Sequence, residues 1–369
     1  MRSAAMFYLS AVPSLAQAFL ANLPAAFTDA PSIWANGFLN TTNFIAYDEK
    51  FFDIVGPKAT VEHVQHLALQ PHEAPCYNKD TGELYFVEWG PPGGDNGTHS
   101  WQYLLDTRNN TLKKITTNPP PTVNSHGCVF YKGAYHVVTD GTSNETAALV
   151  RVDPKTLEKK VLLNNYYEQP FMGFNDVEMD SDGKLLADRL PIRFRKAAIW
   201  STSHRRTNPT VYMVNGTTMR PRVVHVTTGN ANGVAVSPAR DGRHTLYLPD
   251  SGVSEQKPVS RKNPYGDRAL VAYDVATGGY LANPRLLNNP IAYFYDGVRV
   301  SRNGWIFVGA GDGVDVIDPD TGLALGTIRV GGGENLAVNV AFGEHELWIV
   351  GRGGVWHVSG VAERLDRGW

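Results

Sequence analysis

Five polar residues, Glu73, His126, Asn175, Asn232 and Asp296, each stand at the head of a short apolar segment. A sixth head of this kind lies near Val338. Glu73, Asn175, Asn232 and Asp296 together make an all-oxygen donor set of two carboxylates and two amides. Hard divalent cations choose such donors, with water completing the shell. Zinc would draw on His and Cys instead. Ca2+ is therefore the first expectation for a bound ion, and Mg2+ or Mn2+ the second. Taken singly, each residue is an ordinary turn former, since Asn-Asp, Asn-Gly and Asp-Gly are common turn dipeptides. The set carries chemistry only if the fold brings its members to one point.

A repeat supplies that fold. Each head opens an apolar strand, which is followed by a turn holding Gly, Asp or Asn and by a second apolar strand. The pairs begin at Glu73, His126, Asn175, Asn232, Asp296 and Val338 and continue at Glu83, Ala134, Lys184, Thr245, Trp305 and Glu346. A further hairpin usually follows, as in Trp101 to Asp106 with Leu112 to Ile115, or Ala148 to Asp153 with Lys159 to Leu163. Strands of β-branched and aromatic residues between such turns, four to a repeat, predict an all-β, six-bladed β-propeller with four-stranded blades. The first strand of each blade then lines a central channel, and the six heads converge at one rim. Val61 to Leu69 is expected to close the ring against Gly354 to Val358. Residues 61–369 form the propeller and residues 19–60 an extension over its outside. Asp188 to Asn208 and Gly252 to Asp267 read as long loops.

The remaining composition narrows the setting. Charged residues are 19% of the 369 and the formal net charge is −2, so the basic footprint of a nucleic-acid binder is missing. Residues 1–18 read as a secretory signal: Arg2, an apolar run broken by Pro13, and Ala16-Gln-Ala as a small-x-small cleavage site. No apolar run is long enough to span a bilayer. Asn40, Asn96, Asn109, Asn144 and Asn215 each head a glycosylation triplet. Secretion is the compartment these features predict. Cys76 and Cys128 are the only cysteines. In an oxidising compartment they permit one disulfide, while two buried thiols remain the alternative.

Glu73-Ala-Pro, Asn175-Asp-Val, Asn232-Gly-Val-Ala and Asp296-Gly-Val resemble the metal-ligand motifs of the regucalcin/gluconolactonase family of propellers. Segments around Tyr47 to Gly56, Leu162 to Tyr167 and Gly311 to Val316 are similar to fungal secreted lactonohydrolases. The resemblance runs from about residue 45 onward. It implies lactone hydrolysis at a bound Ca2+, with secretion and glycosylation, and it favours Asp296 over Glu73 as the base. The residue types agree: a divalent ion polarises a carbonyl oxygen, and a neighbouring carboxylate accepts a proton. His126 departs from the look-alikes, which tend to carry Asn there. It reads as a second acid/base or as a histidine held by hydrogen bonds.

Phe171, Phe174, Tyr293 and Tyr295 precede two of the heads and are expected at the pocket rim. They suggest an apolar or aromatic small-molecule substrate. Arg189, in an Arg-rich stretch, is a candidate for an anionic group of that substrate. A metal-dependent lactonase is thus the leading expectation. The alternative is a secondary-metabolite tailoring enzyme that performs a cyclisation, isomerisation or hetero-Diels–Alder cycloaddition in the same pocket. A third reading is a propeller that binds without catalysis.

Overall fold

The computed structural model describes residues 18–20, 42–67, 70–89, 100–118, 120–142, 144–171, 173–180, 198–203, 210–227, 229–252, 254–255, 261–262, 268–290, 294–332 and 335–367. Most of the expected signal, the acceptors Asn40 and Asn96, and Arg189 and Tyr293 lie outside these residues.

The chain folds as consecutive antiparallel meanders, each starting at a short first strand and stepping outward in sequence order. The first sheet is Gln70–Asn78, Glu83–Trp89, Trp101–Asp106 and Thr111–Ile115. The second is Ser125–Tyr131, Ala134–Thr139, Leu149–Val152 and Lys159–Leu163. The third is Val177–Met179, Ala198–Ser203, Thr210–Asn215 and Pro221–Val226. The fourth is Ala235–Val236, His244–Asp250, Ala269–Val275 and Leu281–Asn288. Another sheet joins both ends of the chain. Asn339–Phe342, Leu347–Gly351 and Gly353–Ser359 are completed by Thr60–Leu67, with Val61 opposite Val358 and Leu67 opposite Gly353. That closing strand is the one anticipated around Val61 to Leu69. This is an all-β propeller, in which a strand from one end of the chain completes a sheet from the other and each sheet keeps only a short outer edge.

Two expectations need correction. Five sheets have four strands, not six. The remaining large sheet has six, because Phe44–Ala46 and then Ala18–Leu20 add outside Val298–Val300, Ile306–Gly309, Gly313–Ile317 and Ala324–Arg329. The second strand of the third sheet is not Lys184 to Asp188. Ala198–Ser203, inside the expected loop, pairs with Val177–Met179 instead. A small hairpin, Ser254–Glu255 with Arg261–Lys262, likewise occupies the expected loop after the second strand of the fourth sheet.

Apolar residues hold the sheets face to face. Leu84, Tyr85, Phe86, Val137, Val308 and Ile349 have no accessible surface. A short helix, Lys50–Val55, buries Phe51, Ile54 and Val55 against Leu325, Ile349 and Leu365. Each buried side chain of this size contributes about 2 kcal/mol, which explains why the segment before the closing strand is packed down. A repeated turn joins third to fourth strands. Asp106, Asp153, Asn215 and Asp318 each accept backbone N–H groups two or three residues ahead, the Asx geometry that lets the chain reverse tightly.

Cys76 and Cys128 form a disulfide between the first strands of the first two sheets, with Cα atoms 5.6 Å apart and a sequence separation of 52. Closing a loop of that length constrains the unfolded chain by about 4 kcal/mol in the chain-entropy model. Replacing both cysteines with alanine is expected to lower Tm by roughly 5 °C, measured by differential scanning calorimetry. An unchanged Tm would show that the bond adds nothing to stability.

Candidate active site

The heads of the first strands meet in a closed circuit. Glu73 Oε1 lies 4.0 Å from His126 Nδ1. The next residue, Gly127, admits no side chain, because a Cβ there would sit 2.6 Å from the Asp176 Cα. Asp176 accepts the Val234 N–H at 3.2 Å. Gly233 donates to the Asp296 carbonyl at 3.2 Å, and Gly297 donates to the Val338 carbonyl at 2.9 Å. A Cβ on Gly297 would collide with the Asn339 side chain. Asn339 Nδ2 then donates to Glu73 Oε2 at 3.4 Å and returns the circuit to its start. Residues up to 266 apart in sequence are thereby neighbours.

Local irregularities aim the side chains. Register shifts flank Glu73 on both sides, and Ala74 beside it holds φ at +57° while fully buried. A second shift falls between Ser125 and Gly127, around His126. Bulges of this kind redirect a side chain out of the ladder, and a left-handed alanine costs energy that the surrounding packing must offset. In the third, fourth and six-stranded sheets, Asn175, Asn232 and Asp296 lie just before the first strand, so no such shift is needed there.

Burial and charge distinguish the members. Glu73, His126, Asn175 and Asn232 are buried, whereas Asp296 is half-buried. Burial pushes the Glu73 carboxyl well above the usual carboxylate range. The negative charges of Asp296 and Asp176 push it further, against the Asn339 hydrogen bond and the charge of Arg299. His126 stands between two carboxylates, with Nε2 3.7 Å from Asp140 Oδ2. Asn232 Nδ2 donates to Ser251 Oγ at 2.7 Å, and Ser251 donates on to the Tyr295 carbonyl at 2.8 Å. That chain fixes the Asn232 amide with its oxygen turned from Ser251. The Asn175 Oδ1 is buried and accepts no hydrogen bond among the described residues. An unmatched acceptor of this sort costs about 1–3 kcal/mol.

Among the described residues no group of three or more His, Cys, Asp and Glu side chains is placed to hold a metal ion. The oxygen set here is different in kind, since half of it is amide. Its fit to a hard cation rests on the uncompensated Asn175 oxygen and on two carboxylates, Glu73 and Asp296, that repel each other. Both defects are ones that a cation removes.

Other expected site residues fall elsewhere. Phe171 and Phe174 are 5% and 2% exposed and pack with Val138, Val177 and Val214. Tyr295 is fully buried and donates to Asn288 Oδ1 at 2.8 Å. All three are packed among residues of neighbouring strands. Reading the sequence missed Asp140, Asp176, Ser251 and Asn339. Only Asn339 left a signal, as a polar residue in the apolar run that starts at Val338.

Comparison with known proteins agrees with this architecture. Residues 71–350 match the family described as SMP-30/Gluconolactonase/LRE-like region. Lactonohydrolase oryH of Aspergillus oryzae is 27% identical, over 85% of this chain and 79% of that protein. Lactonohydrolase oryL of the same fungus is also 27% identical, over 90% of this chain and 79% of its own length. Among solved structures, a gluconolactonase from Xanthomonas campestris superposes with a TM-score of 0.63 at 18% identity, covering 85% of this chain and 93% of that one. A calcium-binding regucalcin from Agrobacterium tumefaciens superposes with a TM-score of 0.56 at 16% identity, covering 82% and 93%. Those two likenesses concern the fold. With the family match spanning most of its length, the chain belongs to the SMP-30/gluconolactonase/LRE-like family.

Proposed function

We propose that the protein hydrolyses a lactone or related ester at the circuit of first-strand heads. The observation that carries the reading is the mutual repulsion of two carboxylates from distant strands, Glu73 and Asp296; the uncompensated buried oxygen of Asn175, another strand head, supports it. The lactonohydrolase relatives support the reaction class. In this reading the six-stranded sheet serves as the remaining blade, and the heads open into a central channel. Residues 61–369 form the propeller proper and residues 19–60 its extension.

Glu73, Asn175, Asn232 and Asp296 would hold one divalent ion, Ca2+ before Mg2+ or Mn2+, in keeping with the calcium-binding regucalcin fold. Such an ion would polarise a lactone carbonyl. Asp296 is the half-buried carboxylate and so the one in reach of solvent water; it takes a proton from the water that attacks the carbonyl carbon and returns it to the ring oxygen as the ring C–O bond breaks, leaving the open hydroxy acid. Glu73, deeply buried, stays a fixed partner. Asn175 and Asn232 orient the substrate through their amides. His126, bracketed by Glu73 and Asp140, is placed to pass a proton between them. Phe171, Phe174 and Tyr295 are packed, so the aromatic rim that suggested a non-hydrolytic tailoring reaction loses described support.

Secretion and glycosylation also belong to the proposal. Asn109 and Asn144 are exposed and Asn215 is half-buried, so glycans have room at the first two. The disulfide fits an oxidising compartment.

The test is turnover of a panel of aldonate and aromatic lactones with and without chelator. Ring opening is expected to stop with chelator, and Asp296→Asn is expected to cost roughly 10²- to 10⁴-fold in kcat. Wild-type turnover by the Asn variant would refute the assignment of the base. A second test concerns the repulsion. In chelator, Glu73→Gln is expected to stabilise the protein by on the order of 1 kcal/mol, while the rise in Tm on adding Ca2+ disappears. A Gln variant that Ca2+ still stabilises as it does the wild type would contradict the ligand role.

A further inference from the structure

Arg299 extends inward from the strand Val298–Val300, and its side chain is 11% exposed. Its Nη1 donates to Asp176 Oδ2 at 3.0 Å and to the Val298 carbonyl at 2.7 Å. Its Nη2 donates to Asp176 Oδ1 at 3.4 Å and to the Cys128 carbonyl at 3.3 Å. Asp176, 1% exposed, accepts the N–H groups of Val177 at 2.8 Å and Val234 at 3.2 Å. One buried ion pair therefore ties together the first-strand regions of the second, third, fourth and six-stranded sheets.

The charge is as well placed as the geometry. Burial opposes the guanidinium's charge, but Asp176, Glu178 and Glu73 outweigh that cost and hold Arg299 more firmly protonated. Arg299 also lines a cavity of about 360 Å³ with Glu178, Phe342 and Arg367, and none of Glu73, Asn175, Asn232 and Asp296 lines it. Arg299 thus borders both that cavity and the residues of the circuit. A buried ion pair contributes little net stability compared with apolar packing of the same volume. The forked guanidinium does fix direction, in a way that a lysine ammonium does not.

We infer that Arg299 is a positioning residue, a strut that fixes Asp176 and, through the adjoining backbone, Asn175. Its purpose rests on the proposed ion site, while its mechanical role stands on the contacts alone. Nothing about it requires Arg299 to touch substrate.

Two variants test this: Arg299→Lys, which keeps the charge but loses the fork, and the double variant Arg299→Met with Asp176→Leu, which removes both members of the ion pair and leaves Glu178 with Arg367 at 3.9 Å. Amide hydrogen exchange at Val177 and Val234 is measured in ion-free buffer, Ca2+ affinity by titration calorimetry, and folding by Tm. Both variants are expected to fold. In both, exchange at the two amides rises by roughly tenfold or more, and Ca2+ binding weakens by roughly 10- to 100-fold. A purely stabilising pair would move Tm and leave exchange at these amides, relative to the rest of the core, and Ca2+ affinity alone. Wild-type exchange in the Lys variant, or wild-type Ca2+ affinity in the double variant, would overturn the inference. If the wild type itself takes up no Ca2+, the ion reading fails, and the exchange result alone decides the strut.

Discussion

The close approach of the first strands is the constraint on which the rest depends. Each must come near enough to the next for a backbone amide or a short side chain to bridge them. That spacing is possible because no side chain stands at Gly127 or Gly297, where Asp176 and Asn339 already fill the space. The circuit links first strands from the whole length of the chain. The outer strands, the packed helix Lys50–Val55 and the closing strand Thr60–Leu67 hold that circuit in place.

Electrostatics follow from the crowding. Glu73, Asp176 and Glu178 are buried away from screening water, with the half-buried Asp296 adding its charge to Glu73, and Arg299 is a permanent counter-charge among the buried three. Its fork is spent on Asp176. Glu73 is left with a carboxyl raised by burial and by its neighbours' charge, and in the third sheet the buried Asn175 oxygen has no donor among the described residues. A fold that keeps this arrangement retains local destabilisation at one point, as binding sites commonly do.

Much of this was legible in the sequence, for physical reasons. Hairpins such as Asn339–Phe342 with Leu347–Gly351 are set by neighbouring residues and turn chemistry, so alternation reveals them. The heads were legible because a polar residue opening an apolar strand is conspicuous. What failed was nonlocal. Lys184 to Asp188 follows a Ser-Asp-Gly turn and reads as a strand, yet Ala198–Ser203 makes the pairing with Val177–Met179. Phe44–Ala46 adds to a strand almost 300 residues away, which no local pattern records. Arg299 carried no signal of its role, because its partner Asp176 is 123 residues distant.

The central claim is that the circuit holds one hard cation through Glu73, Asn175, Asn232 and Asp296. Elemental analysis of the purified full chain, before and after dialysis against chelator, tests it most directly. The account predicts close to one calcium per chain in the wild type, lost on chelation, and far less in Asn175→Leu, whose fold is intact. A wild-type protein that is fully folded and free of divalent metal, or an Asn175→Leu variant that retains its calcium, would contradict it.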